Sequence, residues 1–435
     1  MREIPDLLVI GAGLSGLMAA YEAAEAGLRV KVIAKGLGSM HWSAGTVDVL
    51  GYAAGDKAVS MPLQELEGLQ AVAPHHPYVV AGAEAVTEAL SRFVALAKEL
   101  GLPYEGAEEP GRNLWLPSPV GAARPVYLAP QGQRYGDLAL AEPIVVVGFE
   151  GLRDFYPWVI AENLRKQGHR ARGTVLPFAL LSERRDANTV QLAQELDELK
   201  RVVTLARALK EVVEPGERVG LPALVGLDRH GRAMEVLQEE LGTRVFEIPT
   251  LPPSVPGMRL YRALRSDLEG RGVEVEIGME AVGYEAKEEN GGFRRLLWVE
   301  TATSARPLKH RARAFLLATG GLLGGGFDSN HEGRVWERVF DLPLAMPQNR
   351  EDWFRPKFLD PAGHPVFQGG VSVDREFRPV SPEGKRLFAN LWAAGNGLRD
   401  CDGIRERSRE GIAIVTGIAA ARSILVALRR EKHVH

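Results

Sequence analysis

The chain has 435 residues, enough for two domains with a sizeable core, and its 45% hydrophobic and 25% charged residues exclude a disordered, collagenous or coiled-coil chain. A net charge of -3 and a pI near 6.4 give no field that would draw nucleic acid or an anionic membrane surface. The single cysteine, Cys401, rules out internal disulfides and all-cysteine metal or iron–sulfur centres and fits a reducing, cytoplasmic setting. Glycine is abundant at 48 residues, which points to backbone at positive φ or in close approach to a ligand.

Leu7 to Ile10 form an apolar run that ends at Gly11. Leu17, Ala20, Tyr21 and Ala24 then recur at helical spacing up to Gly27, and Val30 to Ala34 reads as a second strand. This βαβ opening predicts a parallel sheet. The residues before it lack the apolar core of a signal peptide. From Pro77 to Leu241, helices such as 83–100 and 186–209, Pro-rich connections and one apolar strand, 144–148, predict an inserted second domain. A helix over 258–270, a strand over 273–277 and two strands within 282–303 around the turn Glu288 to Gly292 predict a β-meander. Ala314 to Ala318 runs into Thr319-Gly320-Gly321, and Asn390 to Ala394 repeats that form before Gly395. Gly411 to Leu428 approaches the length of a membrane span but contains Thr416, Arg422 and Ser423, so a buried helix is expected and no direct span.

Gly11-Ala12-Gly13-Leu14-Ser15-Gly16 has the dinucleotide spacing. The first glycine makes the turn, the second admits a pyrophosphate and the third lets helix meet strand. The acid that normally ends the second strand and holds ribose hydroxyls is missing: Ala34 and Lys35 stand there, and no Asp or Glu occurs between Glu25 and Asp48. A loop that binds phosphate alone therefore stays open beside a dinucleotide loop. Among the histidines there is no HExxH, the HxH at His433-Val434-His435 lies at the chain end, and His75-His76 reads as a solvated turn, so no metal site is expected.

Lys35 to Leu50, KGLGSMHWSAGTVDVL, resembles the loop that lies along the flavin in the fumarate reductase and L-aspartate oxidase flavoproteins. In covalently flavinylated members a histidine near its start bonds the ring. Alignment on Gly45 puts Ser39 at that position, so the resemblance implies a non-covalent flavin. PALVGLDRHG (222–231), VFEIPTLPPSVPGMRLYRALR (245–265), LLATGGLLGGGF (316–327), GGVSVDREFRPV (369–380) and NLWAAGNGLRDCDGI (390–404) are similar, in order, to the B-type subunit of the anaerobic glycerol-3-phosphate dehydrogenases. The run Pro249 to Gly257, with its four prolines, also reads as a rigid crossing between domains.

The resemblance implies an α/β fold, an FAD/NAD(P)-binding Rossmann-like domain with a β-meander, interrupted by an inserted α+β capping domain. The expected boundaries are 1–76, 242–330 and 371–435 for the flavin-binding parts, 77–241 for the capping domain and 331–370 for its return segment. It implies flavin-dependent oxidation of sn-glycerol 3-phosphate to dihydroxyacetone phosphate. FAD is expected, with FMN the alternative. The implied partners are an A-type flavoprotein subunit and an iron–sulfur C-type subunit, with quinone reached indirectly and attachment to the inner face of the membrane through those partners. A non-catalytic relay or scaffold subunit and a stand-alone oxidoreductase of another small hydroxy or amino acid remain the alternatives.

The expected flavin ligands are Gly11, Gly13, Ser15, Gly16, Lys35, Ser43, Ala44, Gly45, Thr319, Gly320, Gly395, Gly411 and Ile412. Catalysis needs cations for a phosphate and a base for a hydroxyl proton. Arg399, Arg405, Arg407 and Arg409, just before the helix at Gly411, are the candidate cations, and His41 and His331 the candidate bases. Arg407, Ser408, Arg409 and Glu410 stand where related flavoproteins carry glycines. Arg355 and Lys357, among Trp353, Phe354 and Phe358, read as packing rather than as a phosphate grip.

Overall fold

The computed structural model describes residues 4–183, 187–289, 291–302 and 306–433, with side chains up to 431; the terminal His-Val-His side chains and Asn290 of the meander turn lie outside the described residues. In chain order the elements that position the site are β1 (Leu7–Ile10), α1 (Leu14–Glu25), β2 (Val30–Ala34), α2 (Ala83–Glu99), β3 (Ile144–Phe149), α3 (Pro157–Lys166), β4 (Ala171–Leu176), α4 (Thr189–Glu195) and α5 (Leu199–Lys210). They continue with β5 (Arg218–Pro222), α6 (His230–Leu241), β6 (Val245–Ile248), α7 (Val255–Gly270), β7 (Glu274–Ile277), β8 (Glu280–Glu288), β9 (Arg294–Ala302), β10 (Leu308–His310), β11 (Ala314–Leu317), β12 (Leu391–Ala393) and α8 (Arg409–His433).

Packing divides the chain into two compact units. One comprises residues 1–39, 52–93 and 264–435, the other 40–51 and 94–263. These bounds differ from those expected at 77, 242 and 331–370. Pro77–Ala81 packs on α8, and β6 completes the sheet of the second unit beyond residue 241. The segment 331–370 belongs to the first unit, where Leu344–Ala345 pairs with Gly370–Val371.

In the first unit, β7-β2-β1-β11-β12 form a parallel sheet. Taken in the order they occur within that sheet, the strands run 3-2-1-4-5, a doubly wound arrangement whose switch point lies between β1 and β11. The four residues of β1 are at most 2% exposed, which explains a strand apolar on both faces. α1 packs along α8 through a small residue: a Cβ on Gly417 would stand 2.4 Å from the Ser15 carbonyl oxygen. α8 is long and apolar enough to cross a membrane by composition, with a mean hydropathy of 2.0, but 67% of that stretch is buried in the protein, as a core helix requires. β8, β9 and β10 form the antiparallel meander.

The second unit centres on a second parallel sheet, β4-β3-β5-β6. The sequence shows only β3 as an apolar run, because β4 and β5 carry Arg172, Gly173, Arg218 and Gly220 inside them. Those glycines serve packing. A Cβ on Gly173 would stand 2.7 Å from the Pro157 backbone at the start of α3. The single helix expected over 186–209 is two helices, α4 and α5. Asp197 breaks it, because its Oδ1 accepts the N–H groups of Leu227, Asp228 and Arg229 and so caps the turn before α6. The proline run joins β6 to α7 within this unit, and α7 itself makes the passage between units.

Candidate functional site

At the switch point of the first unit the glycines divide by what surrounds them. Gly11, at φ +121°, lies against the end of β11, where a Cβ would come 2.3 Å from the Ala318 carbonyl oxygen and 3.1 Å from the Thr319 nitrogen. Gly16 is as tight, 1.9 Å from the Gly11 oxygen by the same measure. Gly13 is different: nothing lies within 4 Å of its Cβ position, and as N-cap of α1 it supplies no side-chain cap. In the first turn of that helix the Ser15 hydroxyl is buried without a hydrogen-bond partner. Gly395, at φ +89°, packs 3.1 Å from the Ser15 Cβ by its own Cβ position, and its N–H donates to Thr416 Oγ1 at 2.8 Å.

The structure thus brings Gly11, Gly13, Ser15, Gly16, Thr319, Gly320 and Gly395 to the carboxyl ends of β1, β11 and β12. An uncapped helix N-terminus, open space at Gly13 and an orphaned buried hydroxyl fit a diphosphate, because each leaves donors that an anion would satisfy. Gly411 and Ile412 lie in the first turn of α8, with the Ile412 N–H on the Ser408 carbonyl.

The remaining expected ligands have local partners of their own. Lys35 is exposed, and its Nζ pairs with Glu280 Oε1 at 2.9 Å. Ser43, Ala44 and Gly45 belong to the second unit, where Ser43 Oγ accepts the Gly45 N–H, Gln133 donates to the Ala44 carbonyl and Tyr104 to the Gly45 carbonyl at 2.6 Å.

A cavity of 940 Å³ in the first unit is lined by Gly320, Gly321, Asn396, Asp402, Arg405 and Arg409 from the strand ends and the turn before α8, and by Phe354, Arg355, Phe358, His364 and Phe367 from the loop over 353–369. Its arginines differ in commitment. Arg405 is a clasp, not an open anion site: Asp56 Oδ1 and the Asp360 and Pro361 carbonyls hold its guanidinium, which ties down the 360s loop. Arg355 is likewise held on the Gly363 carbonyl. Arg409, at the start of α8, has no ion pair or side-chain hydrogen bond among the described residues. Arg407 sits at φ +51° and is not among the cavity-lining residues.

Beneath this cavity the turn at His76, expected to be solvated, is buried instead. His76 is 0% exposed, its Nδ1 accepts the Tyr78 N–H, and its Nε2 faces Glu406 Oε2 at 3.2 Å. The turn is internal because α8 packs over Pro77–Ala81. Burial would raise the Glu406 carboxyl, but His76, the Asp402 N–H and the Ser408 hydroxyl hold it below its ordinary value. Asp402 moves the other way: burial and the Glu406 charge push its carboxyl up against the Arg405 N–H. Burial and these acids raise the Cys401 thiol well above its usual value, which leaves it unreactive.

Of the candidate bases, His331 is exposed beside the Phe327–Ser329 and Val335–Glu337 hairpin and does not line the cavity. His41 lies in the second unit, where its backbone carbonyl accepts the Ser254 N–H and its ring Nδ1 is buried without a partner. Sequence reasoning missed Asp402, His76, Glu406 and Asn396. No spacing rule singles out an acid in a turn such as Asp400-Cys401-Asp402-Gly403, whose burial comes from distant elements.

The FAD binding domain family matches residues 6–411. With the doubly wound sheet and the glycine cradle, this makes the chain an FAD-binding oxidoreductase, and of the two flavins the sequence leaves open the match carries FAD. The chain is 33% identical to a protein of Halobacterium salinarum named as the probable B-type subunit of an anaerobic glycerol-3-phosphate dehydrogenase, over 98% of this chain and 99% of that one. It is 30% identical to the B-type anaerobic glycerol-3-phosphate dehydrogenase subunit of Pectobacterium carotovorum, over 97% and 98%, and 30% to that of Vibrio cholerae, over 98% and 98%. The chain belongs to the family of B-type subunits of anaerobic glycerol-3-phosphate dehydrogenase.

Proposed function

We propose that the chain takes part in the oxidation of sn-glycerol 3-phosphate to dihydroxyacetone phosphate as one subunit of a multi-subunit dehydrogenase. The observation that carries this reading is the uncommitted Arg409 guanidinium in a 940 Å³ cavity bordered by the glycines of the strand ends. When bound, FAD supplies the acceptor for the hydride that leaves the secondary carbon. Gly11, Gly13, Ser15, Gly16, Thr319, Gly320 and Gly395 would hold its phosphates and the backbone beside it.

Arg409 binds the substrate phosphate, for which a guanidinium at a helix N-terminus is suited in charge and geometry. Asp402 takes the hydroxyl proton, since burial makes it a stronger base than an ordinary carboxylate. The relatives' designation as a B-type subunit supports assembly with further subunits; in this reading those are an A-type flavoprotein and an iron–sulfur C-type protein, through which electrons pass to quinone at the inner face of the membrane.

The test is a visible spectrum of the purified chain, release and identification of its chromophore, and anaerobic addition of glycerol 3-phosphate. Flavin bands that bleach with the substrate are expected. Bands that bleach only with dithionite, in the isolated chain and in the assembled complex, would assign an electron relay instead.

A further inference from the structure

The sequence lacks the acid that ends the second strand of dinucleotide-binding folds, yet the structure delivers a carboxylate to the same place. β2 ends at Ala34, which is in register with Ile277 of β7, and the Met279 N–H donates to the Ala34 carbonyl at 2.9 Å. The chain then turns into β8, whose first residue is Glu280. Glu280 Oε1 lies 2.9 Å from Lys35 Nζ and 2.7 Å from Arg338 Nη2. The two cations fix the carboxylate through one oxygen. The second oxygen, Oε2, has no hydrogen bond among the described residues, and the side chain is 29% exposed.

This carboxylate is linked to the glycine loop by the short run from Lys35 to Gly38. Gly38, at φ +70°, lies so close to the loop that a Cβ on it would stand 2.8 Å from the Gly13 Cα. Gly13, the open glycine that admits the diphosphate, therefore borders the segment that Lys35 and Glu280 anchor.

We infer that Glu280 Oε2 accepts the ribose hydroxyls of the adenosine half of FAD, and so replaces from β8 the acid that β2 does not carry. The inference rests on the FAD reading. It makes Glu280 a residue that selects a dinucleotide flavin over FMN, which has no adenosine. Lys35 is a positioning residue that acts through Glu280, which explains why it stands at the end of β2 without facing the glycine loop itself.

A carboxylate beside a diphosphate is repulsive unless it also accepts a hydrogen bond, so simple electrostatics and the inferred contact predict opposite signs. The experiment is titration of the deflavinated full chain with FAD and with FMN, followed by quenching of flavin fluorescence, for wild type and Glu280→Gln. Retained thermal unfolding and far-UV circular dichroism check the fold. Glu280→Gln is expected to weaken FAD by about tenfold or more, the worth of a hydrogen bond to a charged group, and to leave FMN within about twofold. Tighter binding of both flavins, an equal loss for both, or no change overturns the inference. Should Glu280→Gln fail to fold, Glu280→Asp, which keeps the charge and shortens the reach, is expected to show the same FAD-specific loss, and an unchanged ratio of FAD to FMN affinity overturns it. A wild-type chain that takes up FMN and refuses FAD overturns the cofactor reading and this inference with it.

Discussion

His76 and Glu406, 330 residues apart in sequence, meet at 3.2 Å under the turn that leads into α8, with the imidazole fully buried. Glu406 also receives the Asp402 N–H and the Ser408 hydroxyl, so one carboxylate ties the turn before α8 to the turn before Pro77. His76→Ala removes a donor to a buried charge and is expected to cost about 2 kcal/mol. The folded-state value of Glu406 is depressed, so its contribution is complete above the ordinary carboxylate range and disappears as pH falls through the folded value. The deficit of His76→Ala should accordingly be full near neutrality and shrink in acid. Urea unfolding at several pH values measures it, and a deficit independent of pH would contradict the pairing.

The glycines of the first loop should separate by substitution. Gly16→Ala places a methyl 1.9 Å from the Gly11 carbonyl, which only backbone movement could relieve, and is expected to lower stability by several kcal/mol and abolish flavin uptake. Gly13→Ala meets nothing within 4 Å, so apoprotein stability should stay within about 0.5 kcal/mol while FAD affinity falls by about tenfold or more. Thermal unfolding and flavin titration on both variants test the contrast. An undiminished FAD affinity in Gly13→Ala would remove the diphosphate from this loop.

Where the fold was legible in the sequence, local pattern and burial agreed. Leu7 to Ile10 is apolar because parallel neighbours and helices cover both of its faces, and the glycine spacing after it reflects contacts within the same turn. The sheet of the second unit was hidden because Arg172 and Arg218 turn strand residues outward or into local networks: Arg218, 1% exposed, donates to the Tyr135, Asp137 and Leu140 carbonyls. The candidate site was legible only at its phosphate end. Arg405 and Arg409 look alike in the run RERSRE, and only tertiary structure reveals that Asp56 and the 360s loop occupy one of them. His76 read as solvated because nothing near it in sequence foretells the helix that covers it.

Arg259 and Glu247 form a two-pronged pair at 2.6 and 2.9 Å in the second unit, both under 5% exposed, and the same carboxylate accepts the Val225 N–H. His230 beside them is pushed down to about 4 by burial and by Arg259, so it stays neutral near pH 7 and adds no charge to the pair. Arg259→Leu leaves Glu247 buried without its cation and is expected to destabilise the protein by about 3–5 kcal/mol. Double substitution, Arg259→Leu with Glu247→Leu, should recover part of that loss, because no uncompensated charge remains. Denaturant unfolding of the cycle decides it: losses that simply add would show that the pair is not coupled.

Asp402 offers the sharpest separation of chemistry from folding. Burial, then the charge of Glu406, raises its folded value above that of the unfolded chain. A raised carboxyl binds its proton more tightly in the folded state, so its ionisation opposes folding as pH rises from the unfolded value through the folded one. Asp402→Asn should therefore unfold at the same temperature as wild type or higher at pH 7. If Asp402 takes the substrate proton, the same variant should lose about 10²–10⁴-fold in kcat with a smaller change in KM. Arg409→Gln should show the reverse weighting, a KM for glycerol 3-phosphate raised by at least about tenfold with flavin content intact. The acid limb of kcat/KM in wild type should follow the raised Asp402 carboxyl, and Glu406→Gln, by removing the neighbouring negative charge, should move that limb to lower pH. An acid limb that Glu406→Gln leaves in place would show that Asp402 is not the base.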